Sequence, residues 1–206
     1  MLPTMKQATG SKTPNPIHKV SIQLALDGHS FSTPLPAAAA GEEPVEVELL
    51  TPKTMLVPAE LFDEERGAEL LAANGMALSG DECVVCSDPA QETVALMAVP
   101  AAALQPVAER FGERLFYTSP LLHAVATTTP VVWLCLRSGL LYVRVCDPAL
   151  QLAEVIPAPD EADILYFIER LSGSFELKHY ALRAAGDDPR ALMKLLGPLF
   201  SEATCE

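Results

Sequence analysis

The stretch VVWLCLRSGLLYVRVCDPALQLAEVI, Val131 to Ile156, decides the fold. Val131 to Leu136 is apolar and rich in β-branched and aromatic residues, the composition of a buried strand. Ser138-Gly139 supplies the positive φ of a tight hairpin turn. Leu140 to Cys146 then returns, and Leu150 to Ile156 makes a third strand after Asp147-Pro148. Strands joined by turns this short are antiparallel neighbours, because parallel ones need a long crossover.

The pattern downstream changes period. Asp160 is placed to cap a helix, and Asp163 suits its positive N-terminal end. Ile164, Leu165, Phe167, Ile168 and Leu171 give that helix an apolar face, and Gly173 ends it. Phe175 to Leu182 reads as a strand. Asp188-Pro189 begins a last helix that turns Leu192, Leu195 and Leu196 inward, and Gly197-Pro198 stops it.

The same order appears earlier in the chain. Val20, Ile22, Leu24 and Leu26 alternate with polar residues into Asp27-Gly28, His29 to Leu35 return, and Val45 to Leu50 alternate again. Met55 to Val57 forms a short strand. Pro58 opens a helical region that closes at Asn74-Gly75. Strands follow over Glu82 to Ser87 and Glu92 to Val99, then a helix over Ala101 to Phe111 holding Pro106, a strand over Arg114 to Tyr117 and a short helix over Ser119 to Ala126. Three antiparallel strands followed by helix and strand, twice over, predict a duplicated α/β architecture: two lobes of the ribonuclease H-like, actin-like kind, each a mixed sheet flanked by helices. The expected division is a disordered tail over 1–16, a first lobe over 17–128 and a second over 129–206.

Composition narrows the function. The 206 residues include 27 acidic and 14 basic ones, a net charge of -13, and half are apolar with a mean hydropathy of +0.23. Lysines and arginines are scattered singly. A surface of that sign repels phosphate backbones, so nucleic acid is not an expected partner. No apolar run approaches the roughly 18 residues a spanning helix needs, so membrane insertion is not expected either. The first residues lack the apolar centre of a secretory signal. Five cysteines, an odd number at strand-like positions, fit a reducing cytoplasm better than a disulfide framework.

The segments SIQLALDGHSFS, LVPAELFDEE, YTSPLLHAV and GLLYVRV resemble an uncharacterised Bacteroides-type family, the domain of unknown function three-eight-two-two. The likeness runs from about Ile17 to Phe200. Its motifs are Leu56-Val57-Pro58 to Phe62, and His123 ahead of the second half. The resemblance implies an actin-like ATPase fold with no established activity. The chain looks short beside that family, so trimmed loops or a trimmed final strand are expected.

In actin-like ATPases each lobe turns a hairpin toward the nucleotide, where backbone amides grip phosphate and an Asp holds hydrated magnesium. Asp27, Gly28 and Ser30 would form one jaw of such a site, and Ser138 and Gly139 the other, with Mg-ATP as cofactor. The second jaw has no carboxylate, and no GxxxxGK[ST] loop exists anywhere in the chain. The turns therefore read first as hairpins, with no cofactor expected. Asp27 on a first strand is also how ribonuclease H enzymes begin, yet no converging set of carboxylates can be placed, so no metal ligands are expected. In CVVC, Cys83 to Cys86, residues three apart on a strand face opposite sides, and the thiols should diverge. His123 reads as a core histidine bonded to backbone.

The leading expectation is a non-catalytic actin-like scaffold, cytoplasmic, that binds another protein whose identity the sequence does not give. The general plan resembles the pseudo-actin components of pilus and secretion machinery, by fold analogy alone. A nucleotide-binding ATPase with atypical phosphate loops and a metal-dependent nuclease are the alternatives.

Overall fold

The computed structural model describes residues 20–25, 44–125 and 128–206. The meander and the two helices of the second half follow the sequence. β7 (Val131–Arg137), β8 (Leu140–Asp147) and β9 (Ala149–Pro157) form an antiparallel meander. α3 (Glu161–Ser172) leads to β10 (Ala181–Gly186), which pairs parallel to β7. α4 (Pro189–Leu196) leads to β11 (Glu202–Cys205), parallel to β10. The sheet order is β11-β10-β7-β8-β9.

Local chemistry sets its limits. Asp160 Oδ1 accepts from the Ala162 and Asp163 amides at 2.9 and 3.1 Å, closing orphan donors at the start of α3. Asp188 Oδ1 does the same for Ala191 at the start of α4, at 2.9 Å. Period-two alternation splits β7: Val132 and Leu134 join Val143 and Val145 of β8 against Ile164 and Ile168 of α3 and Leu192 and Leu196 of α4. The opposite face of β7 and β8 carries Trp133, Cys135 and Tyr142, which are buried against Leu50 and Leu121 of the first half. This second cluster joins the halves.

The first half differs from its expected form. β1 (Val20–Ala25) and β2 (Val45–Leu50) are direct parallel neighbours, and β6 (Leu115–Thr118) pairs parallel on the other side of β2. An antiparallel meander would have put a strand between β1 and β2. The expected returning strand, His29 to Leu35, lies outside the described residues. Alternation fixes which face of a strand is buried and leaves its neighbour open, which is why the pairing could not be read. β3 (Thr54–Pro58), β5 (Thr93–Pro100) and β4 (Glu82–Cys86) form a separate antiparallel sheet in the order β3-β5-β4. α1 (Gly67–Ala73) packs on one face of it, and Val45, Val47 and Leu49 of β2 with α2 (Ala101–Phe111) pack on the other.

Smaller differences are local. The helix expected over Ser119 to Ala126 is a single 3-10 turn, Pro120–Leu122. The strand expected from Phe175 begins at Ala181, after a 3-10 turn at Leu177–His179. β11 carries only Glu-Ala-Thr-Cys and has no sequence signature.

Candidate functional site

Three consecutive same-face residues of β7, Trp133, Cys135 and Arg137, look toward the first half. With Glu48 of β2, His123 and Glu206 they line a cavity of about 230 Å³ between the halves. The Glu206 carboxylate forms part of its wall. Glu206 Oε2 accepts from Trp133 Nε1 at 2.9 Å and lies 3.5 Å from His123 Nε2, while its Oε1 lies 3.8 Å from Arg183 Nη1. The Glu206 amide donates to Ala184 O at 2.9 Å, so this residue extends the β11–β10 ladder while its side chain turns into the cavity.

His123 is not the core histidine its apolar setting suggests. Its side chain is 59% exposed and lies flat on Trp133, with ring centroids 5.8 Å apart and planes 16° from parallel. The backbone of His123 does the anchoring. Its N–H donates to Pro120 O at 3.1 Å, and its carbonyl accepts from Arg144 Nη1.

Charges cross the joint elsewhere. Arg137 Nε stands 4.0 Å from Glu48 Oε2 and is itself buried without a hydrogen-bond acceptor. Burial pushes the Cys135 thiol up to about 11, so it stays protonated at neutral pH and is a poor nucleophile. Burial, reinforced by the negative charge of Glu48, raises Tyr142 in the same direction.

The turn between β7 and β8 is the expected hairpin, with φ of 49° at Ser138 and 71° at Gly139. It is already occupied. The Ser138 amide donates to Asp187 Oδ2 at 2.8 Å, and Gly139 O accepts from Ala158 N at 2.8 Å. Asp187 is held in place by its own amide, which donates to Leu136 O at 2.8 Å. Gly186 precedes it with φ of 104°, and a Cβ there would sit 2.0 Å from Leu136 O. Asp27, Gly28 and Ser30, the other expected jaw, lie outside the described residues.

Asp187 and Glu206 were not found by sequence reasoning. In Gly-Asp-Asp-Pro, 186–189, Asp188 caps the helix, a role its sequence position predicts, while Asp187 serves the distant Ser138 amide. Glu206 acts through contacts 73 residues away in the chain and has no local signature.

Among the described residues, no group of three or more His, Cys, Asp or Glu is arranged to hold a metal ion. Cys83 and Cys86 do diverge: Cys83 packs with the cluster under β2, and Cys86 with the one under α1. No helix among the described residues is long and apolar enough to cross a membrane.

No family model and no curated protein matches the chain. Among solved structures it is similar to a Bacteroides thetaiotaomicron protein with an actin-like ATPase fold and unknown function. The identity is 15% and the TM-score 0.64, over 79% of this chain and 68% of that one. A second match is the cytoplasmic domain of EpsL, an inner-membrane component of the type II secretion system of Vibrio cholerae. It is 13% identical with a TM-score of 0.39, over 82% of this chain and 67% of that one. The first likeness supports the actin-like fold expected from the sequence.

Proposed function

We propose that the chain is a two-lobed, non-catalytic derivative of the actin-like fold that works as a scaffold for another protein. The observation that carries this reading is the Asp187 carboxylate on the Ser138 amide. A phosphate held by this turn would need that donor, and it would meet a fixed negative charge in its place. Next to the cavity, Trp133, Tyr142, Cys135, Leu50 and Leu121 pack together, so the halves meet through packed side chains there. Burial makes the Cys135 thiol a poor nucleophile. What remains of an actin-like protein under those conditions is a shaped surface, and binding a partner is the use that asks least of the site.

Thermal melting with and without millimolar Mg-ATP tests the claim. A ligand at a hundred times its dissociation constant, bound to the folded form alone, adds about 2.7 kcal/mol. The expected outcome is superimposable curves. An upward shift with Mg-ATP would restore Asp27, Gly28, Ser30, Ser138 and Gly139 as nucleotide jaws and end the non-catalytic reading. A pull-down from native lysate is expected to return a stoichiometric protein partner.

A further inference from the structure

α1 closes in Ala73-Asn74-Gly75-Met76, where Asn74 and Gly75 are both exposed. The Gly75 amide donates to Ala72 O at 3.1 Å and the Met76 amide to Leu71 O at 2.9 Å, the pair of bonds that ends a helix on a left-handed glycine. Gly75 has that conformation, with φ of 79°, and nothing stands within 4 Å of where its Cβ would be. Asn74 completes the cap. Its amide donates to Leu71 O at 3.1 Å, and its side-chain Nδ2 donates to Leu70 O at 2.9 Å. Met76 then joins Leu70 and Leu71 in the apolar cluster under the helix.

We propose that Asn74-Gly75 is a site of spontaneous deamidation, which unlocks the cap of α1. The Gly75 nitrogen is the nucleophile and Asn74 Cγ its target. The N–Cγ bond forms, the Cγ–Nδ2 bond breaks, and the proton of the Gly75 N–H leaves with Nδ2 as ammonia. Water then opens the cyclic imide, restoring the N–H and leaving a carboxylate. Opening at Cγ gives aspartate. Opening at the Asn74 carbonyl carbon gives isoaspartate, whose main chain runs through the former side chain and is one atom longer. Glycine suits the attack because no Cβ shields its nitrogen. The other asparagine of the chain, Asn15, precedes Pro16, which has no N–H to give. In the folded chain both reacting groups are engaged, so reaction waits for the last turn to open. A seven-residue helix with an exposed end opens easily. Either product then fails as a cap. Aspartate sets an acceptor against Leu70 O and a negative charge at the negative end of a helix with no basic residue in its last turn. Isoaspartate, with its longer main chain, carries the Gly75 and Met76 amides out of register with Ala72 O and Leu71 O.

The test ages the full chain in mildly alkaline buffer beside a synthetic peptide of residues 67–82. Peptide mapping separates asparagine, aspartate and isoaspartate at position 74 in both. Conversion is expected in both, with isoaspartate the larger product and the full chain about ten-fold slower, because the closed cap withholds the two groups. Amide exchange at Gly75 and Met76 should quicken in the aged chain, and its melting temperature should fall. Asn74→Ser has no amide to lose and should age without that fall. An Asn74 that stays intact for many times the conversion time of the peptide would overturn the proposal. Conversion at the peptide's own rate would mean that the cap withholds nothing, and an aged chain with Gly75 and Met76 still protected would mean that nothing is unlocked; either result removes it. An equal loss of melting temperature in aged Asn74→Ser would place the change elsewhere and remove it too.

Discussion

Among the described residues, β7 is buried on both faces, whereas β2 alternates between buried Val45, Val47 and Leu49 and half-buried Glu46 and Glu48. Around β7, one face meets α3 and α4, and the other meets the joint with the first half. Around β2, Val45, Val47 and Leu49 are buried, but Glu46 and Glu48 share the opposite face with Phe116 and Thr118, and none of these four is buried. The difference separates two tasks in one molecule. Residues enclosed on both sides fix where the halves sit. Half-buried residues such as Glu48, which lies 4.0 Å from Arg137, add charge at the rim of that arrangement.

If that division is right, the largest loss should come from the enclosed side at the joint. Trp133 is 2% exposed, and its indole N–H holds Glu206. Trp133→Ala removes the ring and the indole donor of a carboxylate that lies beside His123 and Arg183, so chemical denaturation should show a loss of about 3–5 kcal/mol. Phe116→Ala, on the open side, should stay within about 0.5 kcal/mol of the parent. Similar losses at the two positions would erase the distinction.

A backbone position sharpens it further. Gly186→Ala forces a side chain into left-handed backbone and against Leu136 O, 2.0 Å from the new Cβ. Strain of that kind costs on the order of 1–3 kcal/mol before the clash is counted. The clash would also displace Asp187 from Ser138. The expected result is a fall in melting temperature together with faster amide exchange at Ser138. A change in stability with Ser138 still protected would separate the glycine from the turn it serves.

The same contrast marks what the sequence made legible. Caps and tight turns were readable because the groups that satisfy them lie within three or four residues: Asp160, Asp188 and Ser138-Gly139 each act on near neighbours. The second-half meander followed, since its turns are too short for anything but antiparallel pairing. The first-half pairing was not legible. β1 and β2 are joined by a long connection, and alternation names a face without naming a neighbour. The groups at the joint were hidden for a related reason. Asp187 and Glu206 satisfy donors 49 and 73 residues away, and no local pattern requires a carboxylate at either position. His123 misled because an apolar sequence neighbourhood does not imply an interior one: its ring covers Trp133 from outside.

The smallest expected effect lies in the first half, in a polar network at the start of β4. Glu82 Oε2 accepts from Lys53 Nζ at 2.6 Å, the Ser79 amide at 2.8 Å and Ser79 Oγ at 2.9 Å, and Lys53 Nζ also donates to Ala77 O at 2.9 Å. The Lys53 hydrogen bond, and then that of the Ser79 amide, hold the Glu82 carboxyl below the usual carboxylate range. A carboxyl whose pKa is lower folded than unfolded adds stability above its unfolded value and loses it as pH falls through the folded one. Glu82→Gln should therefore cost something at neutral pH, under about 1 kcal/mol for a pair this near the surface, and the gap from the parent should close as the solution is acidified below the carboxylate range. A gap that persists into acid would mean that the glutamate acts through shape alone. The first half would then owe its order to the core under β2 and α2, as the second half owes its own to α3 and α4.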